Sequence, residues 1–174
     1  MQSPCVAQPV PLPGDRLLVS SGYGWGSKLF SLARSDSGAL RPELVWESIR
    51  LKAKFSNVVH HQGFIYGLDD GILTCIDLED GSRRWKRGRY GHGQLILVDD
   101  VLLIQAENGD LVLVRATPDA FEEVTRMPAL EGKTWNSPAL APPYLLVRNH
   151  LEAACYRLEM SNLETGESIH GILK

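Results

Sequence analysis

The chain has 174 residues, enough for one domain with a sizeable core and short for two. Hydrophobic residues make up 44% and charged residues 22%, with 16 glycines and 10 prolines, which excludes a disordered or fibrous chain and suits an ordinary globular domain. Eighteen basic against 21 acidic side chains leave a formal charge of -3, so nothing in the overall balance draws the chain to nucleic acid or anionic lipid, and no nucleic-acid partner is expected.

In chain order, Met1 to Gly14 holds neither the basic start nor the apolar run of a signal peptide, and no later stretch approaches the ~18 apolar residues of a membrane span. Gly22-Tyr23-Gly24-Trp25-Gly26 is glycine-rich but follows a strand without a helix-forming continuation, so it reads as a wide turn and not as a dinucleotide fingerprint. Phe30-Ser31-Leu32-Ala33 and Val45-Trp46-Glu47 follow as strands. Val58-Val59, a turn near Gln62-Gly63, Phe64-Ile65-Tyr66, Asp70-Gly71 and Ile72 to Ile76 then alternate short apolar runs with turn dipeptides, ending in Arg84-Trp85-Lys86. The plan repeats. Leu95 to Val98, Asp99-Asp100, Val101 to Ile104, Asn108-Gly109 and Leu111 to Val114 predict a three-stranded meander. Thr117-Pro118-Asp119 predicts one helical turn capped by Thr117, and Glu123-Val124-Thr125 predicts the next strand. Asn149 to Glu159 fits either an amphipathic helix, through Leu151, Ala154, Cys155 and Leu158, or a strand; the repeat below favours a strand.

Taken as equivalent fourth strands, Trp46, Trp85 and Val124 lie 39 residues apart in each step. Phe30, Cys75, Leu113 and Cys155 align within the third strand. A unit of about 40 residues with four antiparallel strands is a propeller blade, which stacks on its neighbours to bury both faces. The expectation is therefore all-β: a single partial β-propeller domain over 1–174, with blades roughly at 3–48, 49–88, 89–130 and 131–160 and a tail at 161–174.

Cys75-Ile76-Asp77-Leu78-Glu79-Asp80-Gly81-Ser82-Arg83-Arg84-Trp85 resembles the tryptophan-docking motif of pyrroloquinoline-quinone-type β-propellers, Ala-x-Asp-x-x-Thr-Gly-Lys-x-x-Trp. Asp77, Gly81 and Trp85 match, and Trp46 with Asp36 and Gly38 forms a longer version in the first blade. These residues read as structural: a turn, a positive-φ glycine and an indole that caps the blade. The family includes quinone-dependent alcohol and sugar dehydrogenases, the outer-membrane assembly lipoprotein and bacterial repeat proteins without catalytic apparatus, which implies a periplasmic or secreted setting. Its dehydrogenases need Ca²⁺, a catalytic Asp and often a vicinal disulfide. No Cys-Cys pair occurs here, and Asp69-Asp70 and Asp99-Asp100 read as turn residues. The resemblance leans to the non-catalytic branch, with no cofactor; a dehydrogenase fragment using pyrroloquinoline quinone and Ca²⁺ is the alternative.

Cysteines at 5, 75 and 155 are too few and too far apart for a disulfide framework and read as buried thiols. His60 and His61 point to opposite faces, and His92, His150 and His170 are scattered, so no metal site is expected. The connectors between blades cross one face near the axis and hold the candidate ligand-binding residues: Lys54 and Asn57, then Arg89, Tyr90 and His92, then Trp135 and Asn136. Each connector joins a base, Lys133 in the third, to an aromatic or amide, which suits an anionic or planar ligand, a protein partner, or a glycan stacked on Tyr90 and Trp135. The bland alternative is a solvated rim. Family members commonly have seven or eight blades, so four predict either missing blades, consistent with Met1 opening inside a first strand, or self-association to cover exposed blade faces.

Overall fold

The computed structural model describes residues 6–158. It contains fifteen strands among the described residues. The first sheet is β1 (Val10–Leu12), β2 (Arg16–Ser21), β3 (Gly26–Arg34) and β4 (Leu40–Ser48), and the second is β5 (Val59–His61), β6 (Phe64–Asp69), β7 (Ile72–Asp77) and β8 (Arg83–Arg89). The third is β9 (Gln94–Val98), β10 (Val101–Gln105), β11 (Asp110–Arg115) and β12 (Glu123–Pro128). The fourth is β13 (Ala139–Ala141), β14 (Tyr144–Arg148) and β15 (Ala153–Arg157); a fourth strand there, the tail at 161–174, Cys5 and His170 fall outside the described residues. Every sheet is an antiparallel meander in chain order, as short apolar runs joined by tight turns require.

Three apolar cores lie between successive sheets. Leu18 and Leu29 meet Ile65 and Ile76 between the first and second; Tyr66, Leu73 and Cys75 meet Leu102, Ile104 and Val112 between the second and third; Leu103, Leu111 and Leu113 meet Leu145, Val147 and Tyr156 between the third and fourth. The continuous apolar runs are thereby explained. All five residues of β10 are buried because both faces are covered. The first strands β5 and β9 approach each other across neighbouring sheets, so the sheets radiate from that side.

The segment from Asn149 onward forms strand β15, with Ala154 and Tyr156 turned inward, and Asn149 instead organises the preceding turn by accepting from the backbone N–H groups of Leu151 and Glu152. Two alignments need correction. No helical turn forms after Thr117; its hydroxyl accepts from Asp119 N at 3.3 Å within a bend, a local bond that competes with helix. The strand pairing, with one bulge in β4, two in β8 and one in β12, also revises the equivalences: Trp46 pairs with Leu29, Trp85 with Cys75, and Thr125 with Leu113. Thr125, not Val124, thus occupies the tryptophan position, and Leu29, not Phe30, matches Cys75.

The tryptophans bind forward. Trp46 Nε1 donates to Leu78 O and Trp85 Nε1 to Thr117 O, each at 2.9 Å and each from the outer strand of one sheet to the next. Gly81 lies beneath the Trp46 ring at φ 67°, and a Cβ there would sit 2.9 Å from Trp46 Cε3. No core cluster among the described residues joins the first and fourth sheets, so the stack is an open arc. Its two ends are apolar: Pro11, Leu17, Phe30 and Leu44 form one cross-strand row, and Ala139, Leu146 and Cys155 form another.

Candidate functional site

Backbone hydrogen bonds tie the connectors to the second-to-third strand turns on one face. Asp70 N donates to Lys52 O, Tyr90 N to Gly71 O, Glu107 N to Tyr90 O and Thr134 N to Glu107 O, linking the second, third and fourth sheets in sequence. This lattice fixes the connectors. Gly91, at φ 62°, lies against the Glu107 side chain, where a Cβ would collide.

On this face Phe55, His92 and Trp135, one from each connector, form an aromatic cluster. Ring centroids are 5.4 Å apart for Phe55 and Trp135, 5.5 Å for Phe55 and His92, and 6.4 Å for His92 and Trp135. Lys54 Nζ stands 4.5 Å from the Tyr23 centroid and 5.4 Å from that of Phe55, and Lys133 Nζ lies 3.7 Å from the centre of Trp135. Glu107 holds the group together, accepting from Trp135 Nε1 and from His92 N at 2.9 Å each. Burial alone would raise the Glu107 carboxyl, but these two bonds and the nearby His92 and Lys133 outweigh it and hold the carboxyl below its ordinary value. Buried Gln94 braces the floor by donating to Phe55 O and Trp135 O. Trp135 remains 41% exposed.

Of the residues expected from the sequence, Lys54, His92 and Trp135 meet here. Asn57 stands beside them, its backbone N–H donating to Gln94 Oε1 and its side-chain Oδ1 accepting from Gln8 N, and half-buried Asn136 follows Trp135 in the chain. Arg89 instead ends the outer strand β8 opposite Ile72. Tyr90 requires a correction as a stacking platform: it is 2% exposed, packed between the second and third sheets, with its hydroxyl donating to Glu123 at 2.7 Å. Lys133 is the base of the third connector, as read from the sequence; sequence reading missed Glu107 and Tyr23, which lie in turns with nothing local to mark them.

It also misplaced Asp69. Asp70 does take a turn conformation, at φ 48°, but the Asp69 side chain is fully buried, 2.5 Å from both Lys52 Nζ and Lys86 Nζ and 3.6 Å from Arg83. Burial favours protonation, yet the two lysine bonds outweigh it and keep the carboxyl below its usual range. Cys75 is buried, which pushes its thiol up to about 12 and makes it a poor nucleophile. Among the described residues no group of three His, Cys, Asp or Glu side chains is placed to hold a metal ion. Glu107 and Asp69 are each matched by this chain's own donors.

No family model and no curated protein matches the chain. Solved structures do. BamB from Moraxella catarrhalis superposes with a TM-score of 0.60 at 12% identity, over 82% of this chain and 40% of that one. KlHsv2, with its loop 6CD replaced by a Gly-Ser linker, gives 0.52 at 11% identity, over 82% and 45%. The computationally designed Ika8 protein gives 0.52 at 9% identity, over 87% and 57%. The fold is a β-propeller. The chain spans roughly half, or less, of the length of these structures. Among the described residues no helix is long and apolar enough to cross a membrane.

Proposed function

We propose that the chain is a non-enzymatic β-propeller scaffold that binds a partner protein through its connector face. The observation that carries this reading is the cluster of Phe55, His92 and Trp135, drawn from three connectors, braced from below by Gln94 and flanked by Lys54 and Lys133. A rigid aromatic centre with a cationic rim is the arrangement that concentrates binding energy at a protein interface. Glu107, the acidic side chain in the cluster, is engaged in positioning the His92 backbone N–H and the Trp135 indole. The open ends of the arc are part of the same reading: a second copy, or further blades, covers the rows at Leu17, Phe30 and Leu44 and at Leu146 and Cys155.

A photo-crosslinker placed at position 133 is expected to yield a discrete protein adduct in cells, and Trp135→Ala is expected to remove it. Adducts indifferent to Trp135 would reject the site. Robust dye reduction with alcohols or aldoses, after addition of pyrroloquinoline quinone and Ca²⁺, would overturn the non-enzymatic reading. Retention on polysaccharide columns that depends on Trp135 would replace the protein partner with a glycan.

A further inference from the structure

A second concave site lies apart from the aromatic cluster, between the outer strands of the first and second sheets. It is a cleft of about 570 Å³ floored by Asp69 and lined by Arg50, Lys52, Arg83 and Lys86, with Trp25 and Ile49 on its wall. Glu47 also lines it but is paired with Lys28 at 2.8 Å. A smaller space of about 300 Å³ continues past Trp25, Ile49 and Tyr23.

The charges do not balance. One buried carboxylate would be matched by a single cation, yet Asp69 faces Lys52, Lys86 and Arg83. Asp70 stands 3.5 Å from Lys52 but is half exposed, where an ion pair contributes little. Arg83 Nη2 also donates to Arg50 O, which draws its guanidinium to the cleft wall, and the side chain of Arg50 is exposed at the mouth. The cleft thus gathers Lys52, Lys86, Arg83 and Arg50 against Asp69 and the more exposed Asp70, and its excess of positive charge attracts an anion. Beside it, Trp25 is 59% and Ile49 72% exposed, an apolar wall next to a cationic pocket.

We propose that this cleft binds a small organic anion, a phosphate or carboxylate carried on a planar apolar body. The anionic group sits among Lys52, Lys86, Arg83 and Arg50, and the body lies against Trp25 and Ile49. Asp69 acts from beneath as a positioning residue: by holding both lysine ammonium groups at 2.5 Å it orders them before the ligand arrives, which lowers the entropy lost on binding. A bidentate guanidinium contact from Arg50 or Arg83 suits either a phosphate or a carboxylate.

The test is titration of the intact chain with phenyl phosphate, followed by calorimetry and by the indole N–H resonance of Trp25, assigned with Trp25→Phe. Saturable binding that shifts Trp25 and leaves Trp135 in place is expected, with inorganic phosphate weaker and phenol inert. Arg50→Gln, an exposed change that leaves the Asp69 cluster whole, is expected to weaken binding about tenfold. Cosedimentation with phosphatidic acid vesicles that Arg50→Gln abolishes would assign the anion to a lipid headgroup; phenyl phosphate binding without cosedimentation would assign it to a soluble ligand. No saturable binding below about 10 mM in any of these forms, affinity unchanged by Arg50→Gln, or a shift of Trp135 in place of Trp25 would overturn the proposal. The connector-face reading is untouched by such a failure, because its crosslink at position 133 is read separately.

Discussion

Trp85 donates from its indole to the carbonyl of Thr117, 32 residues further along the chain, at 2.9 Å. Trp46 makes the same bond, of the same length and sequence separation, to Leu78. Each tryptophan thus fastens its own blade to the third-to-fourth strand region of the next. The third blade has Thr125 in the equivalent register and no indole to repeat the bond.

Trp85→Phe keeps a ring among Tyr66 and Phe121 and loses the bond to Thr117, so urea denaturation is expected to show a loss of about 1 kcal/mol. Trp85→Ala also leaves a void between the second and third sheets, and the loss is expected to rise to about 4 kcal/mol. Equal losses for the two variants would show that the hydrogen bond, not packing, dominates.

Gly81→Ala places a methyl group where the backbone has φ 67° and the Trp46 ring is already in contact. The left-handed conformation and the displaced indole together are expected to cost about 2 kcal/mol. The companion change Gly38→Ala has the same strain at φ 79° but meets no atom within 4 Å, so thermal denaturation of the pair separates backbone strain from the loss of ring contact.

Asp69→Asn leaves Lys52, Lys86 and Arg83 without their shared carboxylate and is expected to destabilise the fold by about 3 kcal/mol, the low end for a broken buried pair because both lysines reach water. The folded carboxyl is held below its ordinary value of 3.8, so its contribution is complete above that value and is lost as pH falls through the lower folded value. Wild-type stability should therefore drop in acid below about pH 4 more steeply than that of Asp69→Asn; parallel acid denaturation curves would contradict the assignment.

Leu146 and Phe30 lie on the two end faces of the arc, which no other sheet among the described residues covers, within the rows paired through Cys155 and Leu17. The isolated chain is expected to self-associate, and Leu146→Glu to reduce its mass in light scattering by charging one of the joining faces. A clean, stable monomer for the unaltered chain would remove this expectation.

The strands and the period between them were legible from the chain because turn chemistry and apolar runs are local signals. Asp70-Gly71 and Asn108-Gly109 mark the reversals they form, and Trp46 and Trp85 stand at equivalent places. The third-blade position was not legible, because Thr125 carries no indole to mark it and the spacing between blades varies by a residue, so only the pairing of Thr125 with Leu113 identifies it. Tyr90 looked like a connector aromatic open to ligand; its ring turns inward because an inter-sheet space and the Glu123 acceptor are available to it.

The candidate sites divide along the same line. Lys54, His92 and Trp135 could be gathered from the sequence because connectors of a repeating fold return to one face. Asp69 could not, since an aspartate before Asp-Gly has a sufficient local explanation as a turn residue. Lys52, Arg83 and Lys86 sit on a connector and an outer strand, and they converge on Asp69 only when the second blade folds and packs beside the first. Periodicity is written by interactions between near neighbours along the backbone, whereas a charge's environment depends on what tertiary packing brings within a few ångströms and shields from water.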